Sequence, residues 1–176
     1  MEILGTGKPV VVANSILSGR AIFRLDANRV LVAEHSLVGT LAPHPLTGDM
    51  ACEVVLKHSI LWSPQVDGAC LTTASAQKLK VTAQATLFES GNALIVGPAP
   101  VTWNGSRNVY RIGSRNGADT QASEADSLVL DPLVFDPLQW RLLAQSPGYR
   151  TGAGGKDCGA DVDHVAAPAT FADGKK

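Results

Sequence analysis

The sequence predicts an all-β chain whose short parallel strands wind into a solenoid of about four to five coils, closed by an irregular C-terminal cap. Three observations predict it. One phrase recurs along the first two thirds of the chain. Its positions alternate between apolar and polar as a strand's do. Acidic residues, scarce in that region, crowd into the remainder.

The phrase Val12-Ala13-Asn14-Ser15-Ile16-Leu17 returns as Ala33-Glu34-His35-Ser36-Leu37-Val38 and as Leu56-Lys57-His58-Ser59-Ile60-Leu61. It comes back more loosely as Ala83-Gln84-Ala85-Thr86-Leu87-Phe88, with a degenerate fifth copy in Ser106-Arg107-Asn108-Val109-Tyr110. With Ser15, Ser36, Ser59, Thr86 and Asn108 taken as equivalent, the steps are 21, 23, 27 and 22 residues. A period of that size, with no helical stripe, marks stacked units that bury their faces only against one another.

The first strand of each unit precedes the hydroxyl. Five positions before it stand Val10, Leu31, Val54, Val81 and Trp103, and three before stand Val12, Ala33, Leu56 and Ala83. Two before stand Ala13, Glu34, Lys57 and Gln84, a mostly polar column. This alternation gives a strand with one buried face. One position after the hydroxyl, Ile16, Leu37, Ile60 and Leu87 continue the apolar phase. A second strand follows in most units, at Ala21-Ile22-Phe23-Arg24-Leu25, Ala69-Cys70-Leu71 and Ala93-Leu94-Ile95-Val96. Gly19, Gly39, Gly68, Gly91 and Gly97 punctuate the turns. The stretch Ala42-Pro43-His44-Pro45 reads as a loop between coils, with His44 in solvent. An antiparallel sandwich would also show short strands, but it gives no reason for one phrase to recur once per unit.

A chain of 176 residues, 45% hydrophobic and 18% charged, suits one domain with a sizeable core and is not a disordered polymer. A net charge of −1 argues against a general nucleic-acid binder, and no apolar run is long enough for a helical membrane span. No basic stretch precedes an apolar one at Met1, so no signal peptide is expected. The default compartment is then the cytoplasm, or an extracytoplasmic one if the chain belongs to a larger membrane protein. Residues 1–116 hold 10 Lys/Arg and 7 Asp/Glu, a balance of +3, whereas residues 117–176 hold 5 and 9, a balance of −4. The division predicts coils over 1–116, a closing segment over 117–168 and a polar tail over 169–176. Cys52, Cys70 and Cys158 form neither a disulfide framework nor a CxxC pair, and the first two read as small buried hydrophobes.

The repeated strand–[Asn/His]-Ser-[Ile/Leu]-[Leu/Val]–turn phrase resembles the right-handed parallel β-helix of the pectate-lyase-like superfamily. The stretch Leu130-Asp131-Pro132-Leu133-Val134-Phe135-Asp136-Pro137 through Ser146-Pro147-Gly148-Tyr149 resembles the closing segment of many bacterial β-helix repeat proteins. The run Gly155-Lys156-Asp157-Cys158-Gly159-Ala160-Asp161-Val162-Asp163-His164-Val165 is similar to the tail of β-helix regions at the C-terminal end of large bacterial Ser/Thr protein kinases. The resemblance covers roughly residues 9–168 and implies a partial β-helix with a C-terminal cap. It does not bring kinase activity, because the chain has no glycine-rich phosphate loop and no HRD-type or DFG-type motif. After Ala167 the chain departs from the pattern, with a short polar tail where a charged helical extension is expected. That departure suggests a truncated or separately encoded remnant.

Candidate chemistry is weighed against this scaffold. His35 and His58 share a column with Asn14, and no carboxylate or thiol of that column completes a four-ligand metal set, so a hydrogen-bonded ladder is expected. Ser15, Ser36 and Ser59 are expected to form a hydroxyl ladder, since a nucleophilic serine needs one oriented base and an oxyanion site. Asp157, Asp161 and Asp163 are close enough in sequence for Ca²⁺, but they lie in a Gly/Ala-rich stretch that positions ligands poorly. No strand column is expected to supply a carboxylate–arginine cluster. Trp62, read as lying at a turn just past a strand, is the best exposed aromatic for stacking on a sugar; Asp161 and Asp163 are the other weak binding candidates. Trp103 points inward. Trp140 plugs the open coil end, with Asp131 and Asp136 in the cap.

The expectation is a non-catalytic structural or interaction module without cofactor, and the rival is a polysaccharide lyase or glycoside hydrolase, the one case that would call for Ca²⁺. A protein or polysaccharide surface is the expected partner, and an uncovered N-terminal coil end near Val10–Ile16 suggests end-to-end self-association.

Overall fold

The computed structural model describes residues 2–5, 9–25, 30–45, 51–63, 65–73, 78–98, 100–114, 121–125, 128–129, 135–136, 141–145, 149–150 and 153–159. The chain opens with β1 (Glu2–Gly5) and then repeats a two-strand unit. The units are β2 (Val10–Ala13) with β3 (Ile16–Leu25), and β4 (Val30–Glu34) with β5 (Leu37–Pro45). Next come β6 (Cys52–Lys57) with the interrupted pair β7 (Ile60–Ser63) and β8 (Ala69–Thr72), and β9 (Leu79–Gln84) with β10 (Leu87–Val96). The last are β11 (Val101–Ser106) with β12 (Val109–Ser114), and β13 (Gln121–Ala125) with β14 (Leu128–Val129). Beyond them lie β15 (Phe135–Asp136), β16 (Arg141–Leu142) and a short 3₁₀ turn at Ala153–Gly155.

First strands stack in the order β13-β11-β9-β6-β4-β2, a six-stranded sheet. Second strands stack as β1-β3-β5-β7-β10-β12-β14, with β8 beside β5 and β10 in the same eight-stranded sheet. Pairing within both sheets is parallel. The chain is therefore a parallel β-solenoid, with about four turns from the first of these units to the fifth. The columns inferred from sequence are its rungs: Val10 pairs with Leu31, Leu31 with Val54, Val54 with Val81 and Val81 with Trp103. Strand pairing continues past residue 116. β13 lies on β11 and β14 on β12, so a further partial coil occupies the start of the aspartate-rich span.

β2, β4, β6, β9 and β11 are each followed by a residue in the left-handed region: Asn14 (φ 49), His35 (φ 48), His58 (φ 45), Ala85 (φ 47) and Arg107 (φ 53). This residue turns the chain into the second strand and shifts the side-chain phase by one. Before the corner Val12, Ala33, Leu56 and Ala83 point inward; after it Val38, Leu61, Phe88 and Tyr110 do, two positions beyond the hydroxyl. The column one position beyond, which continues the period of two across the corner, lies on the outside instead. Ile60, Leu87 and Val109 there join Leu142 and Cys158 in a second apolar cluster, with Ile16, Trp62 and Tyr149 packed against it.

The inner core thickens toward the C-terminal coils. Trp103 is buried, as expected, and meets Phe88 edge-on at 5.3 Å, while Phe88 stacks on Tyr110 at 5.0 Å. Midway along the second strands the pairing becomes irregular. Register shifts mark the place between Leu17 and Arg20 and between Ser90 and Ala93. At the same level Gly39 sits so close to the Gly19 backbone that a β-carbon would overlap its carbonyl oxygen.

The stretch 41–45 is strand and not loop: Leu41 to Pro45 pair with Ala21 to Leu25, His44 opposite Arg24. Past Leu41 no described strand pairs with the other side of β5, so Pro43 and Pro45 stand where one donor is dispensable.

Cys158 and Gly159 lie against a flank of the coils. Gly159 N–H donates to Ala85 O at 2.9 Å, and the Cys158 thiol lies 3.3 Å from Arg107 O. Arg150 N–H donates to Asp157 Oδ1 at 3.0 Å, closing the turn before them. Trp140 and Asp131, expected in an end cap, fall outside the described residues. Asp136 is placed through its backbone alone, opposite Arg141. No described helix is long and apolar enough to cross a membrane.

Candidate functional site

Two polar constellations lie on the coils. The first is the corner column. Ser15, Ser36, Ser59 and Thr86 each donate a hydroxyl to the carbonyl two residues earlier, at 2.7, 2.9, 2.9 and 3.0 Å. The Ser36 and Ser59 oxygens also reach the coil before. Ser36 Oγ lies 3.2 Å from Val12 O and accepts from Ser15 N–H at 3.2 Å. Ser59 Oγ lies 3.1 Å from Ala33 O and accepts from Ser36 N–H at 3.3 Å. At the fifth coil Asn108 replaces the hydroxyl. Its Oδ1 accepts from Thr86 N–H at 3.0 Å and its Nδ2 donates to Ala83 O at 3.0 Å. An amide longer than a hydroxyl makes the same two inter-coil bonds, which explains why the fifth copy looks degenerate.

The left-handed corners carry a strain on the order of 1–2 kcal/mol each for a residue other than glycine. The ladder offsets it: Asn14, His35, His58 and Ala85 N–H donate to Glu34, Lys57, Gln84 and Ser106 O at 3.0–3.1 Å. Asn is the non-glycine residue that best tolerates this geometry, whereas His35 and His58 gain from each other. Their rings stack 5.1 Å apart at 10°. Nearly parallel rings do not aim their nitrogens at one point, so the pair is a stack and not a chelate. Burial, then the neighbouring His35, push the His58 imidazole below its ordinary pKa.

The second constellation corrects an expectation. One strand column does carry a carboxylate and an arginine together. Three positions beyond the corner hydroxyl, Glu89 pairs with Trp62 on one side and with Arg111 on the other. Arg111 Nη1 lies 2.6 Å from Glu89 Oε1; the Glu89 side chain is 8% exposed and that of Arg111 44%. Burial pushes the Glu89 carboxyl up, opposed by the Arg111 charge and by a hydrogen bond with Trp62. Trp62 is the third residue of β7 and half-buried, not at a turn, because the interruption between β7 and β8 falls after Ser63. The three side chains make a short outward row of indole, carboxyl and guanidinium beside the second apolar cluster. Such a row can hold a polar ligand against an aromatic face.

The thiols are not part of either constellation. All three cysteines are free and buried. Burial pushes Cys70 far up and Cys158 up to about 12, so both are inert as nucleophiles. Among the described residues no three His, Cys, Asp or Glu side chains gather as a cation site. Asp161 and Asp163 lie outside the described residues. Compared with known proteins, the chain matches no family model, no curated protein and no solved structure.

Proposed function

We propose that this chain is a non-catalytic structural or interaction module built on a right-handed parallel β-helix. The carrying observation is that the recurring polar residues are spent on joining coils: Ser36 and Ser59 each serve both their own corner and the coil before. The closing phrases around Asp131–Pro137 and Gly155–Val165 support a finer reading, in which the module is the detached C-terminal sensor or binding region of a larger bacterial protein of the kinase type.

The outward row of Trp62, Glu89 and Arg111 favours a second reading, a carbohydrate-active protein of the same fold. A half-buried indole beside an arginine-paired carboxyl offers an aromatic face and polar groups of the kind that hold a sugar. Incubation with acidic and neutral polysaccharides, with and without Ca²⁺, separates the two readings. The module reading expects no new reducing ends or unsaturated products. Turnover that disappears in Glu89→Gln, with the circular dichroism unchanged, would establish the second reading.

A further inference from the structure

The six-stranded sheet keeps one face in the core and turns the other outward. Three columns of side chains stand on the outer face. The middle one is Val11, Val32, Val55 and Thr82, in register through β2, β4, β6 and β9. Val11 is 60% exposed, and Val32 and Val55 are half-buried. The column next to the corner is Ala13, Glu34, Lys57 and Gln84, and the far one holds Val30, Glu53 and Lys80. The end of the solenoid near Val10–Ile16 is not an open surface of this kind, because β1 already pairs with β3 on its side away from β5.

The charges on this face are not used alike. Lys80 Nζ lies 2.9 Å from Glu53 Oε1, so those two are paired within the chain. Glu34 and Lys57 occupy neighbouring rungs of one column, yet neither makes an ion pair with a described residue. We propose that the face binds the same face of a second copy, about a twofold axis parallel to the strands and midway between β4 and β6. Rotation about that axis lays each column over itself and reverses the order of the coils. Glu34 then faces the partner's Lys57, and Lys57 faces the partner's Glu34. The two charges left over in one chain are thus paired twice across the interface. The middle column closes on itself in the same operation: Val32 faces the partner's Val55, and Val11 the partner's Thr82. Strand directions stay aligned, as in stacked sheets about 10 Å apart.

The charges select this axis over its neighbours. An axis along β4 would set Glu34 against its own copy, and one along β6 would do the same to Lys57. An axis parallel to the solenoid would set Lys57 against the partner's Glu53, which Lys80 already holds. The valine strip supplies the affinity and the ion pairs fix the register. Four strands about 4.8 Å apart offer roughly 350 Å², less than the ~800 Å² per partner of a standard interface, so the dimer belongs to high protein concentration. A twofold contact is closed and does not propagate. It is separate from the Trp62 row and stands whatever that row binds.

Charge reversal tests both the contact and its register. By sedimentation the native chain is expected to dimerise with concentration, less so as salt is added. Glu34→Lys and Lys57→Glu are each expected to weaken the dimer about tenfold, since either one sets like charges face to face on both sides of the axis. Mixed in equal amounts, the two variants are expected to recover the native association as a heterodimer. Every facing couple is then opposite in charge, while each chain still carries like charges on its own neighbouring rungs. Recovery on mixing is therefore intermolecular. A native chain that stays monomeric at every concentration would overturn the proposal. So would single variants that dimerise as the native chain does, or a mixture as weak as its components. If a reversed chain does not fold, Glu34→Gln and Lys57→Gln decide: each alone and both together should weaken the dimer equally, and additive losses would overturn the pairing.

Discussion

The histidine corners show how one residue position balances strain against contact. His58 occupies a left-handed corner, stacks on His35 and lies near Glu34, Lys57 and Arg107. Burial and His35 lower its pKa, Lys57 and Arg107 act with them, and the Glu34 carboxylate acts against. Because the folded value is depressed, the unfolded chain takes up the proton first as pH falls through about 6.5, the ordinary value for histidine. Stability is then fully present above that pH and is lost as pH falls toward the folded value. In His58→Asn the corner keeps a residue that tolerates it, as Asn14 shows at φ 49 in the same column. Thermal unfolding between pH 7.5 and 5.5 is expected to fall more steeply for the native chain than for His58→Asn. Parallel curves would show that this imidazole is not a source of acid sensitivity.

At the scale of elements, the C-terminal segment covers a flank that the sequence does not reveal. The inward columns are legible because strands in register repeat the same residue class every 21 to 27 positions. What lies beyond each corner is less so. The left-handed residue resets the alternation, and a period of two carried through it assigns Ile16, Ile60 and Leu87 to the wrong face. The Trp62–Glu89–Arg111 row was illegible for another reason. Its members share a column but no chemistry, so no recurrence marks them, and only the pairing across coils brings them together. The flank itself depends on Gly159, whose φ of +112 suits glycine and whose β-carbon would sit 3.0 Å from Ile60 Cγ1. Gly159→Val is therefore expected to lift the segment from the coils. Cys158, its thiol now held at about 12 and buried, would become open to labelling. Mass-mapped labelling with a thiol reagent checks this: Cys158 should react many times faster in the variant, with Cys52 and Cys70 still protected. Labelling unchanged at Cys158 would mean that the segment is held elsewhere.

For the whole molecule, a solenoid is close to one-dimensional, and each coil is stabilised by its two neighbours. Central and terminal coils should then respond differently to the same loss. Leu56 is buried completely in the third coil, between Ala33 and Ala83 in its column. Leu17 belongs to the inward column beyond the corner but lies in the first described unit and is only half-buried. Truncating a fully buried leucine to alanine costs about 2–5 kcal/mol, and the cost shrinks where the cavity opens to solvent. Urea unfolding at low protein concentration is therefore expected to show a loss in that range for Leu56→Ala and less than half of it for Leu17→Ala. A Leu17→Ala penalty as large as that of Leu56→Ala in the dilute monomer would contradict the nearest-neighbour picture. It would place the end of the core beyond β2.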